Sequence, residues 1–133
     1  MSAKVTSLDH LVLTVASIDA SVAFYEAVLG MERQVFQAAD GSTRTALKFG
    51  GQKINLHEVG RGFRPHAARP VAGSADLCFL TDVALDQWAA HLLAHDVEIE
   101  DGPVPRSGAT GPIMSLYIRD PDGNLIEIST PVE

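Results

Sequence analysis

Apolar and polar positions alternate from residue 8 to residue 15: Leu11, Leu13 and Val15 fall on one face, and Leu8, His10, Val12 and Thr14 on the other. That two-residue period predicts a strand. Ser17 then offers an N-cap, and Ile18, Val22, Tyr25 and Leu29 recur at helical spacing ahead of Gly30, which predicts a helix closed by Gly30 at C′. Strands are expected over Glu32–Gln37, Thr43–Phe49 and Lys53–Val59, separated by the turn sequences Ala39-Asp40-Gly41-Ser42 and Gly50-Gly51-Gln52. Residues 60–73 hold two prolines and no apolar period, the pattern of a surface linker.

The sequence of elements then restarts. Ala75–Thr81 reads as a strand, Leu85, Trp88, Leu92 and Leu93 mark a helix, and Val97–Glu100, Met114–Ile118 and Asn124–Ser129 read as strands. Gly102 to Pro112 is too rich in glycine and proline to count as an element, so it is expected to be a loop across one end of the molecule. The chain is thus an α+β protein built from two βαβββ modules. One domain over 1–133 is expected, with module 1 at about 5–60, a linker at 61–73 and module 2 at about 74–131. Each curved mixed sheet needs cover on the face its helix leaves open, from the other half or from another chain. A cleft between two such faces would receive His10 and Glu127.

Glu127 is the anomaly in this pattern. It follows a Pro121-Asp122-Gly123 turn and sits in a strand that is otherwise largely apolar, opposite in parity to Ile126 and Ile128. A carboxylate there is costly to bury without a partner.

Composition narrows the classes. The 133 residues carry a formal net charge of −7, which argues against nucleic acid and anionic membrane as partners. One cysteine, Cys78, excludes an internal disulfide and suits a reducing, cytoplasmic compartment. Cys78 itself is expected to be a small buried side chain. No apolar run reaches the length of a membrane span, and the first residues lack the apolar segment of a secretory signal.

Three stretches, Leu8-Asp9-His10-Leu11-Val12-Leu13, Phe24-Tyr25 through Leu29-Gly30-Met31, and Asp120 through Glu127, together resemble the vicinal oxygen chelate superfamily. That group includes glyoxalase I, extradiol dioxygenases, and fosfomycin- and bleomycin-resistance proteins. Lys53 to Glu58 and Gly102 to Arg106 are similar to its small stand-alone glyoxalase-like members. The resemblance implies metal ligands on the first and last strands of each half: His10, Asn55 or His57, Asp76 and Glu127. Imidazole and carboxylate are common ligands of divalent cations, here Mn, Ni, Fe(II), Mg or Zn. Asp76 is open to two readings, ligand or solvated residue at a strand entrance. Asn55 and His57 share a face roughly 7 Å apart along their strand, so only one can sit level with His10. His57 and Arg106 are the candidate substrate contacts, while His66, His91 and His95 show no ligand pattern.

The function implied is a metal-dependent glyoxalase-like lyase or isomerase, or an enzyme of small-molecule addition, with Glu127 as ligand and general base. Asp76 in place of a second histidine argues against an extradiol-type dioxygenase. The alternative is a metal-free protein that binds a drug or metabolite, as bleomycin-resistance proteins do. A homodimer is expected, with His10 and Asn55 or His57 from one subunit and Asp76 and Glu127 from its partner.

Overall fold

The computed structural model describes residues 2–133 and contains two compact units, one running to Val71 and the other from Ala72 to Glu133. The N-terminal unit is ordered β1 (His10–Val15), α1 (Ile18–Ala27), β2 (Glu32–Gln37), β3 (Thr43–Phe49) and β4 (Gln52–Glu58). The C-terminal unit follows as β5 (Asp76–Leu80), α2 (Leu85–Ala94), β6 (Asp101–Ser107), β7 (Pro112–Arg119) and β8 (Leu125–Pro131). Both sheets have the same topology, β1-β4-β3-β2 and β5-β8-β7-β6, with one parallel pair at the edge and antiparallel pairs elsewhere. The two βαβββ modules read from the hydrophobic pattern are therefore present.

In the N-terminal unit Leu13, Val15, Leu47, Ile54 and Leu56 share one sheet face and are buried, as are Val22 and Tyr25 of α1. Each such side chain removed from water contributes roughly 1.5–3 kcal/mol. Ser17 caps α1, its Oγ accepting from Ala20 N at 3.2 Å. The helix stops earlier than its periodicity suggests: Val28 is the C-cap, and Gly30 stands one position beyond C′. In the C-terminal unit Leu116, Ile118, Ile126 and Ile128 form the buried face, together with a buried Leu92 on α2. Trp88 Nε1 donates to Thr81 Oγ1 at 2.9 Å and ties α2 to the end of β5. Among the described residues no helix is long and apolar enough to cross a membrane.

The proline-rich stretch departs from expectation. Val97–Glu100 is not a strand, and the segment expected to be a loop supplies β6 instead. β6 is an edge strand paired only with β7, and an edge can hold Pro103 and Pro105 because one side of it carries no ladder bonds. The register slips between Asp101 and Val104. Gly102 makes that slip feasible: at φ +104, a Cβ on it would lie 2.3 Å from the Ser115 carbonyl oxygen. Composition signalled punctuation here, and the structure uses it inside a strand.

Candidate functional site

The turn before β8 sets where Glu127 lies. Asp120 Oδ1 accepts from the backbone N–H of Asp122 and of Asn124, each at 2.9 Å, and Gly123 N–H donates to Asp120 O at 3.0 Å. The fully buried Asn124 donates from Nδ2 to Asp120 Oδ2 at 2.8 Å, and its Oδ1 accepts from Ala75 N at 2.9 Å. One side chain thus joins the turn to the entrance of β5 and fixes the start of β8 beside Asp76. Arg119 closes the outer side, with a two-point contact to Glu100 at 2.9 and 3.0 Å and a bond to Gly123 O. That guanidinium holds the Glu100 carboxyl below the usual carboxylate range.

Glu127 is half-buried, and its partners are hydroxyls. Ser115 Oγ donates to Glu127 Oε2 at 2.5 Å, and Ser129 Oγ lies 3.4 Å from the same oxygen. Ser115 and Ser129 are fully buried and 2.7 Å apart, and Cys78 Sγ sits 3.3 Å from Ser129 Oγ. Oε1 takes part in neither serine bond. Cys78 is exposed rather than buried, because it lies on the polar face of the edge strand β5. Partial desolvation of the sulfur where it lies against β8, opposed by the Ser129 hydroxyl and reinforced by the Glu127 carboxylate, pushes the thiol up. It is therefore protonated at neutral pH and can donate toward Ser129. The sequence did not mark Ser115 or Ser129; the signal was their parity, since both share the Glu127 face.

A cavity of about 520 Å³ adjoins Glu127, lined by Cys78, Leu80, Arg106, Ile113, Pro131, Val132 and residues 107–112. Arg106 is on β6 rather than in a loop. Its Nε donates to Tyr117 Oη at 2.8 Å, and its Nη2 lies 3.6 Å from Asp101 Oδ2. Asp76 is exposed on the same sheet face, paired with Leu125, while Cys78 pairs with Glu127.

In the N-terminal unit, His10 opens β1 and is exposed. Its Nδ1 is 2.8 Å from Asp9 Oδ2, and that hydrogen bond, more than the imidazole's charge, holds the Asp9 carboxyl below its ordinary value. A carboxylate on one ring nitrogen leaves Nε2 for another ligand. Asp9 was not singled out from the sequence, though it is adjacent to His10. The residue level with His10 is Lys53, whereas Asn55 pairs with Val12 and His57 with Thr14. Neither Asn55 nor His57 is level with His10, because the parallel β1–β4 register pairs them with residues two and four further along β1. Asn55 Oδ1 is buried with no hydrogen-bond partner, and so is Nδ1 of His57.

Comparing the two registers aligns the predicted ligands in pairs. His10 and Asp76 occupy one position of the repeat, each opening the edge strand. Asn55 and Glu127 occupy another, two residues further along the neighbouring strand than the partner of His10 or Asp76. Within either unit, among the described residues, no three His, Cys, Asp or Glu side chains gather into a metal-holding group.

Residues 7–128 match the model described as the Glyoxalase/Bleomycin resistance protein/Dioxygenase superfamily. The chain is 53% identical over 122 residues to virulence protein STM3117 of Salmonella typhimurium, covering 92% of this chain and 82% of that protein. It superposes with a TM-score of 0.91 on an integron cassette protein from the mobile metagenome of V. cholerae, at 54% identity and 98% coverage of both chains. A likeness of fold alone, at 18% identity and a TM-score of 0.64, extends to a fosfomycin resistance protein of Listeria monocytogenes. That comparison covers 97% of this chain and 95% of the other, whose structure holds Mn(II) and a dihydroxypropylphosphonic acid.

Proposed function

The chain belongs to the glyoxalase/bleomycin resistance protein/dioxygenase superfamily, and on that premise we propose that it is a divalent-metal-dependent enzyme of the lyase or isomerase type acting on a small oxygen-bearing substrate. His10, Asn55, Asp76 and Glu127 would hold the ion. The observation that carries this reading is the orphaned Asn55 Oδ1, which stands at the repeat position that Glu127 fills in the other unit. A buried oxygen without a partner costs about 1–3 kcal/mol, and a cation would relieve it. The donor chemistry fits: an imidazole braced through Nδ1 by Asp9, two carboxylates and an amide oxygen are a set for Mn, Ni, Fe(II), Mg or Zn. When bound, the ion supplies Lewis-acid polarisation of adjacent substrate oxygens.

The chain's own residues do the rest. Ser115 and Ser129 fix Glu127 through Oε2 and leave Oε1 for a proton or an ion. Glu127 would take a proton from a carbon that bears a hydroxyl beside a carbonyl and return it to the former carbonyl carbon while the hydroxyl proton passes to the other oxygen, an isomerisation that needs no further reactant. Arg106, steadied by Tyr117 and lining the adjoining cavity, would contact the substrate there. We also propose a homodimer in the cytoplasm, with the donors divided between chains.

One observation favours a second reading. The cavity beside Glu127 is of ligand size and bordered by Leu80, Ile113, Pro131 and Val132, which suits a metal-free protein that binds a drug or metabolite. Metal content after purification without chelator separates the two: about one ion per chain supports the enzyme, and metal-free protein that takes up no added Mn(II) or Ni(II) supports the binder.

A further inference from the structure

We propose that a second hollow, in the N-terminal unit where the coil after β4 folds back on β1 and β4, receives a small oxyanion group, carboxylate or phosphate, carried by the substrate. The proposal rests on the chain acting on a small molecule and adds the chemical class of that molecule. The hollow measures about 260 Å³ and is lined by Thr14, His57, Glu58, Arg64 and His66 together with Gly60, Gly62 and Pro70.

Charge is the first argument. Between Glu58 and Asp76 the chain carries Arg61, Arg64 and Arg69 with His66 and no acid at all, although the whole protein has a net charge of −7. Arg44, paired with Asp40 at 3.1 Å, stacks 3.9 Å above the Phe63 ring, and Phe63 in turn sits edge-on to His57. Within the hollow, Glu58 is already engaged by Arg61 at 3.6 Å. Arg64 is exposed at the wall. With Glu58 held by Arg61, the Arg64 guanidinium is the charge left to the hollow, and a guanidinium binds carboxylate or phosphate through two parallel bonds.

His57 is the second argument. It is buried to 6% exposure, and its Nδ1 has no partner. Nδ1 faces Gly62 in the wall of the hollow, so the tautomer with its proton on Nδ1 has a donor free for an oxyanion. Gly62 keeps the ring uncrowded: a Cβ there would come to 3.3 Å from Nδ1. Thr14, paired with His57 across β1 and β4, adds a hydroxyl donor on the same sheet face. An oxyanion would find one guanidinium, one imidazole N–H and one hydroxyl around it.

The test uses the full chain freed of metal with chelator and titrated separately with inorganic phosphate and with acetate, following His57 and Arg64 side-chain resonances. Saturable shifts with at least one anion are expected, and the anion that saturates identifies phosphate or carboxylate as the group. Arg64→Ala should weaken that binding at least tenfold, and Gly62→Ala should weaken it by crowding His57. Absence of saturation with both anions, or Arg64→Ala and Thr14→Val binding like the parent, overturns the proposal. Metal binding is measured separately, so a failure there leaves the anion result standing, and the reverse holds equally.

Discussion

Ser115 Oγ lies 2.5 Å from Glu127 Oε2, across the β7–β8 pair and on the sheet face opposite the apolar core. The hydroxyl is fully buried while the carboxylate is half-buried, so the bond holds the acid from behind. Removing it frees the side chain without removing its charge. Ser115→Ala should lower stability by roughly 1 kcal/mol and weaken Mn(II) binding by about tenfold. Calorimetric titration checks the second effect, and unchanged affinity in a folded variant would leave Ser115 with a structural role only.

Asp9 stands in the same relation to His10, with Nδ1 and Oδ2 2.8 Å apart. Asp9→Ala leaves the ring free to turn and to change tautomer. Because Asp9 is exposed, the fold should be unaffected, while metal affinity falls on the order of 10-fold to 100-fold. Titration of the variant beside its unfolding curve measures both.

Asn124 links the Asp120 turn to Ala75 at the entrance of β5. Asn124→Ala would strand buried groups at both ends, and unfolding in urea should show a loss of about 2–3 kcal/mol. Unlike the two substitutions above, this one should reduce metal binding only in proportion to the unfolded fraction.

How much of this was legible in the chain divides along physical lines. The repeat was, because Leu11, Leu13 and Val15 and later Ile126 and Ile128 keep the two-residue period that burial on one face imposes. Glu127 was visible as a charge in that period. β6 was hidden, since proline and glycine signal the end of an element unless the strand lies at an edge, and edge position is a property of the whole sheet. Ser115 was hidden for a related reason: its tie to Glu127 depends on the β7–β8 register. Lys53 rather than Asn55 being level with His10 likewise needed the β1–β4 register, which no local pattern encodes.

Homodimerisation is tested by sedimentation with and without chelator. A dimer strengthened by Mn(II) is expected if the ion joins donors from two chains. Mixing His10→Ala with Glu127→Gln should then restore about one intact site per heterodimer. A metal-loaded monomer at high micromolar concentration would show that the donors come from one chain.

Whether His10 and Glu127 hold one divalent ion is tested by direct titration of the metal-free protein with Mn(II). Saturation near one ion per chain is expected for the parent, and a loss of at least 100-fold in affinity for both His10→Ala and Glu127→Gln with the fold intact. Parent-like binding by both variants would contradict this and place the metal elsewhere.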